Sequence, residues 1–272
     1  MLIAIDFGIT NTDIGVFNGK KTNFFSYKSK SEEIDLFLLK KNLIQNNVDL
    51  SMVQCIGVTG GKSSDLPESL EEIEIFKINE IDAIGMGAKK LYCIKDQSAL
   101  IVSAGTGTAC VHAQGSRFNH LGGIAVGGGM LEGLSSLLFK NSNGYEINEF
   151  ALQGSRAELD LLIGDVVNKI GNLSPDITAV NFGKAKNLSA DTMENTAAAL
   201  CNMIGEIIGT IAYLNALLVG SEKVYFIGRT SYLSEVINGI NGRLELAGIK
   251  GEYEKNREYA NVMGVLERIK NL

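Results

Sequence analysis

The first part of the chain is patterned as short strands. LIAID, TDIGVFNG and TNFFSY follow one another, and Asn18-Gly19 between the last two favours the φ > 0 turn of a hairpin. Three antiparallel strands are expected there. The period then changes: from about Ser31, which can cap a helix, Glu32 and Glu33 fill a first turn, and Ile34, Phe37, Leu38 and Leu43 share an apolar side. VQCIGVTGG reads as a buried strand entering a glycine turn, and IEIFKI as a shorter one. The expected order is three strands, then helix, strand, helix, strand. A further helix over NEIDAIGMGAKKLY begins at Asn79.

The pattern then restarts. SALIVSAGTG is an apolar strand running into glycines, ACVHAQG a second strand and SRFNHLGG a third. An apolar strand that enters a Gly-x-Thr or Gly-Thr-Gly turn and is followed by another strand occurs at 2–12 and again at 99–112, which implies an approximate internal duplication. The remainder is mainly helical, at 130–139, near 146–167 and from about Ala190 to Leu218, with Ser189 or Asp191 as cap. KVYFIG is a strand, a helix begins near Thr230, GIKGEYE is a short strand, and a last helix lies near 258–270. Residues 195–219 are apolar too broadly for one narrow stripe, so that helix belongs in the core or at a dimer interface. Pro67 and Pro175 fall in surface connections and mark no flexible linker.

Composition narrows the partners. A length of 272 residues accommodates two lobes, divided here as 1–95 and 96–272. The net charge of −6 is dispersed in small clusters, so neither nucleic acid nor an anionic membrane is an expected partner, and any bound anion must be held locally. The sequence shows no run of the roughly 18–20 apolar residues that spans a bilayer and starts directly on a strand, which leads to a cytoplasmic expectation. Cys55, Cys93, Cys110 and Cys201 lie far apart in apolar settings and are expected to be buried structural thiols.

The candidate chemistry sits in the glycine turns. DFGITNT at 6–12 places the Asp6 carboxylate at a strand end, Gly8 where the chain reverses, and Thr10, Asn11 and Thr12 just beyond. Such a turn can aim amides and hydroxyls at phosphate oxygens, while Asp6 can hold Mg²⁺, a hard cation that prefers oxygen ligands. Gly105, Thr106, Gly107 and Thr108 offer a second set. A third cluster, with Gly127, Gly128 and Gly129 opening an apolar helix, is readable as an anion site at a helix N-terminus or as close helix–strand packing. YFIGRTSY repeats the strand-to-glycine plan around Gly228. Paired turns of this kind resemble those of the α/β, two-lobed actin/hexokinase/Hsp70-like (ribonuclease H-like) fold with mixed sheets and an interlobe nucleotide cleft, and that resemblance implies that Gly228 lies under the adenosine.

VTGGK (58–62), NEIDA (79–83), SAGTGTA (103–109), LGGIAVGGGMLEGLSSLL (121–138), VNFGKA (180–185), YFIG (225–228) and ANVMGVL (260–266) together resemble the type II, or Fumble, pantothenate kinases over most of the chain. The resemblance implies a homodimer using ATP and Mg²⁺ to phosphorylate the primary hydroxyl of pantothenate, the first step of coenzyme A synthesis. It implies Glu80 as the general base, and Asn181 and Gly183 among the nucleotide-binding residues. Three positions depart from the family pattern. Asp13 stands where a phosphate-binding lysine is usual, His120 stands in place of an arginine of the acceptor site, and Ala109 replaces a common serine. Arg117 is the nearest cation to His120, although three residues along a strand place it on the other face. Thr106, His120 and Arg117 are therefore the acceptor-side candidates. A kinase for another small hydroxylated acid and an ATP-binding protein with little or no transfer activity stay open. DFGITNTD also resembles the opening of the much longer hydantoinase/oxoprolinase-type proteins.

Overall fold

The computed structural model describes residues 1–29, 34–61, 63–95, 97–167, 174–187 and 192–272. Strand β1 (Leu2–Phe7), β2 (Asn11–Phe17) and β3 (Thr22–Lys28) form the expected antiparallel meander. Asn18 closes the second hairpin by accepting the Lys20 and Lys21 backbone N–H groups at 3.1 and 3.0 Å. Helix α1 (Leu36–Gln45) starts later than expected, because Asp35 is the residue that caps it, its carboxylate accepting the Leu38 N–H at 2.7 Å. Ser31, Glu32 and Glu33 lie outside the described residues. Strand β4 (Cys55–Thr59) pairs parallel with β1, and β5 (Ser69–Leu70) forms a hairpin with β6 (Ile73–Lys77). No helix of full length separates β4 from β6 among the described residues. Gly60 and Gly61 at positive φ and Pro67 allow only one tight helical turn, Ser63–Asp65.

Helix α2 (Glu80–Leu91) leads to a second meander, β7 (Ala99–Ala104), β8 (Thr108–Gln114) and β9 (Arg117–Ile124). Then come α3 (Gly128–Phe139), α4 (Gly144–Ala151), the small pair β10 (Leu161–Leu162) and β11 (Thr178–Val180) flanking α5 (Ile163–Val166), and α6 (Met193–Val219). Strand β12 (Lys223–Ile227), α7 (Ser234–Glu245), β13 (Lys250–Glu252) and α8 (Ala260–Ile269) complete the chain. The two sheets run β3-β2-β1-β4-β6-β5 and β9-β8-β7-β12-β13. In each, a meander is extended by two parallel strands beyond its first strand, so the duplication read from the turns is one of topology.

Several helix boundaries differ from their expected places for identifiable reasons. The stretch 146–167 is not one helix. Gln153-Gly154-Ser155 ends α4, and Asp160, fully buried, instead accepts the Phe182 N–H at 2.8 Å and an Asn202 amide N–H at 3.2 Å. Thr192 caps α6, and Ser189 and Asp191 lie outside the described residues. A single tight turn over Arg229–Tyr232 precedes α7, which begins only at Ser234. The 27-residue α6 is long and apolar enough, by length and composition, to cross a bilayer, which corrects the expectation that no such run exists. It is the central core helix: Ala197, Leu200, Cys201, Ile204 and Ile208 pack with Leu100, Val102 and Phe226 of the second sheet. The thiols also divide, Cys110 and Cys201 being buried while Cys93 is exposed.

The expected division at 95/96 separates the two sheets, yet α8 returns from the chain's end to pack on β1, β4 and α2. Glycines make that return possible. A methyl group on Gly87 would overlap the Ala260 carbonyl, and one on Gly264 the Ala83 carbonyl, so the α2 and α8 backbones nearly touch. Gly264→Ala should therefore destabilise the protein by about 1–3 kcal/mol through overpacking, read as a lower urea midpoint. Gly133→Ala, where the added methyl meets only open space on α3, should not. Equal midpoints for both variants would contradict this packing.

Candidate active site

A cleft of ≈ 1210 Å³ is lined by both meanders and by the turn after β12. Asp6, Gly8, Thr10 and Asn11 enter it from the end of β1, and Gly105, Thr106, Gly107 and Thr108 from the end of β7. The two turns meet: the Thr10 and Thr106 hydroxyl oxygens are 2.9 Å apart, a hydrogen bond across the cleft. Thr12 is buried behind the first turn, 3.1 Å from the Ser29 hydroxyl, which donates in turn to the Gly8 carbonyl at 2.7 Å. Thr12 thus braces the turn through Ser29.

The glycines at 127–129 sit behind the second turn and do not line the cleft. The Gly128 and Gly129 N–H groups donate to the Gly105 and Thr106 carbonyls at 2.8 and 2.9 Å, so these two helix-start amides are already spent on the turn. Thr230 Oγ1 adds a second donor to Gly105 O at 2.7 Å. Of the two readings of this cluster, close packing is the one its geometry displays. Gly228 does line the cleft, at φ 89°, and a Cβ there would collide with the Ala104 carbonyl. Asn181 lies elsewhere: its amide donates to Glu206 at 2.9 Å, and it borders a smaller cavity of ≈ 310 Å³ with Arg243. Gly183 packs against Leu161 and Val180. His120 and Ala109 face the main cleft, whereas Arg117 is exposed at the far end of β9.

Glu80 opens α2 and lines the cleft beside Asp6. Its placement follows from Asn79, whose side chain caps the helix by accepting the Ile81 N–H at 2.8 Å. Desolvation at the cleft floor pushes the Asp6 carboxyl up to about 7. The Asn261 amide, donating at 2.9 Å from α8, pulls it back, while the charges of Asp13 and Glu80 push it further up. Asp13 does not present an unpaired anion to the cleft. Arg229 holds it in a bidentate pair, Nη1 to Oδ2 at 2.7 Å and Nη2 to Oδ1 at 2.6 Å, and Nη2 also donates to Ser26 at 2.8 Å. Arg229 and Asn261 were not among the sequence candidates. Arg229 follows Gly228 directly, and the search for a cation to answer Asp13 would have found it. Asn261 lies in ANVMGVL, a segment that carried the family resemblance without giving any residue in it a role.

The Fumble family model matches residues 88–236. The type II pantothenate kinase of Bacillus cereus (strain AH820) is 30% identical over 240 residues, covering 84% of this chain and 82% of its own. The type II pantothenate kinase of Oceanobacillus iheyensis is 31% identical over 234 residues, covering 84% of each. Among solved structures, the activator of the 2-hydroxyisocaproyl-CoA dehydratase from Clostridium difficile with bound ADPNP superposes with a TM-score of 0.65 at 12% identity, over 100% of this chain and 97% of that one. A ROK family glucokinase from Streptomyces griseus in complex with glucose and AMPPNP gives 0.62 at 12% identity, over 100% and 99%. These two share the fold, which is the two-lobed α/β architecture expected.

The Asp6 carboxyl makes a pH prediction. Its folded pKa is raised above the unfolded 3.8, so the stability it contributes is complete below about pH 4 and is lost as pH rises through about 7. Urea unfolding without metal should show the unaltered protein losing stability across that window relative to Asp6→Asn, with the gap levelling off above it. Parallel curves for the two proteins would contradict the desolvation of the Asp6 carboxyl.

Proposed function

Given that the chain belongs to the Fumble family, whose matched relatives are type II pantothenate kinases, we propose that it transfers the γ-phosphoryl group of ATP to the primary hydroxyl of pantothenate, the first step of coenzyme A biosynthesis. The observation that carries this reading is the convergence, in one cleft, of two hydroxyl- and amide-bearing turns with the Asp6 and Glu80 carboxylates.

In this reading the turns at Gly8–Asn11 and Gly105–Thr108 cradle the phosphates, and Gly228 gives the nucleoside close backbone approach. Glu80 accepts the proton of the attacking hydroxyl, while Thr106 and His120 face the acceptor. Arg117 lies too far along β9 to share that role. Because phosphoryl transfer asks the protein mainly to align the groups and offset charge, fixed donors on rigid strand ends suit it. Asp6 is the residue to hold Mg²⁺, which would neutralise charge developing on the phosphate oxygens. The donor set fits that ion: an oxygen ligand oriented by Asn261, a second carboxylate nearby, and no cluster of three or more His, Cys, Asp or Glu among the described residues that would form a complete protein cage. We also read the protein as a cytoplasmic homodimer, with exposed Leu214, Leu217 and Leu218 of α6 available to a second copy.

Two variants test the assignment in a coupled ADP-release assay with Mg-ATP and pantothenate. Glu80→Gln should lower kcat by about 100-fold or more, the scale of general-base catalysis, with ATP affinity within about twofold. Undiminished turnover would remove Glu80 from the mechanism. His120→Ala should raise the KM for pantothenate severalfold and leave that for ATP unchanged. The opposite pattern would move the acceptor to another wall.

A further inference from the structure

The Asp13–Arg229 pair joins the two halves of the fold at the cleft. Asp13 lies on β2, directly opposite Asp6 in the β1–β2 register, and Arg229 follows β12 of the second sheet. The Asp13 side chain is 6% exposed and the Arg229 side chain 26%, so the pair is closed on the Asp13 side and partly open on the Arg229 side. Arg229 lines the cleft, with its guanidinium carbon 5.8 Å from the Tyr259 ring centroid, and Tyr259 is itself stacked on Phe24 at 4.8 Å. The fork is therefore held on several sides.

Donor arithmetic separates Arg229 from the cleft's other guanidinium. Arg257 is buried over the Tyr232 ring, and its Nε, Nη1 and Nη2 donate to Ser231 Oγ, Glu254 O and Ser231 O at 2.8, 2.7 and 2.7 Å. Its task is to fix the turn after Gly228. The bonds of Arg229 to Asp13 and Ser26 use three of the five N–H groups a guanidinium carries, leaving two. An arginine clamped by a carboxylate, partly open to a polar cleft and still holding two spare N–H groups on Nε and Nη1, can give a phosphate oxygen a single charge-assisted hydrogen bond.

We propose that Arg229 is a cation that recognises the nucleotide's polyphosphate, supplied by the second lobe and anchored by Asp13 and Ser26 of the first. This rests on the cleft being the nucleotide site. Since the anchor belongs to one lobe and the guanidinium to the other, a bound phosphate is gripped only when the lobes stand as they do here. The grip and the closure are one interaction.

Calorimetric titration of the full chain with ATP, ADP and adenosine tests this. Arg229→Gln should weaken ATP and ADP by about 10- to 100-fold, the worth of one or more charged hydrogen bonds, and leave adenosine within about twofold. Because that variant leaves a buried carboxylate unpaired, Asp13→Asn/Arg229→Gln removes both charges and should show the same split. Arg229→Lys should restore part of the ATP affinity, keeping the charge without the fork. Equal losses for ATP and adenosine, or unchanged ATP binding in the double variant, would overturn the proposal and leave the pair a purely structural clasp. If the unaltered protein binds no ATP, the nucleotide reading fails and this inference fails with it.

Discussion

The Thr10 and Thr106 hydroxyls stand 2.9 Å apart, and the account of this chain depends on that convergence of two strand ends from two sheets. One hydrogen bond, worth about 1 kcal/mol net, cannot hold two lobes together. The meeting is imposed from around it. Helix α8 carries the chain's end back onto the first sheet, its Asn261 amide reaches Asp6, and the Asp13–Arg229 pair closes one side of the cleft. The half-buried Asp13–Arg229 pair makes two hydrogen bonds between charged groups, a kind worth about 1.5–3 kcal/mol each, so these outer contacts, rather than the threonines, set the distance between the turns.

The second turn is held from behind by the same logic. Its Gly105 and Thr106 carbonyls are tied by the Gly128 and Gly129 amides and by the Thr230 hydroxyl. With those acceptors engaged away from the cleft, the loop presents a fixed surface. The glycine run at 127–129 is thus needed for approach between backbones: a Cβ at Gly127 would meet the carbonyl oxygens of Gly105 and Thr106 within 3 Å. A signal that reads equally as phosphate site or as packing proves to serve the site by packing.

Much of the fold was legible in the chain because strand patterning and turn residues are local. The two meanders, the Asn18-Gly19 hairpin and the apolar α6 followed from period and composition. What was not legible is non-local. Asp13 read as an adverse charge because its answer, Arg229, lies 216 residues away along the chain. The return of α8 depended on Gly87 and Gly264 facing each other across two distant helices. The stretch 146–167 looked helical because apolar spacing cannot reveal that Asp160 would be buried as a node joining Phe182 and Asn202. The site divided in the same way: turn residues were found by their type, while Asn181 and Gly183 proved to border another cavity or pack elsewhere, and Asn261 became visible only in three dimensions.

The most direct test is a crystal structure of the protein with Mg²⁺, a non-hydrolysable ATP analogue and pantothenate. The phosphates should lie between the turns at 6–12 and 105–108, in contact with both, with the primary hydroxyl of pantothenate within hydrogen-bonding distance of Glu80. A nucleotide bound outside this cleft, or phosphates touching one turn alone, would contradict it.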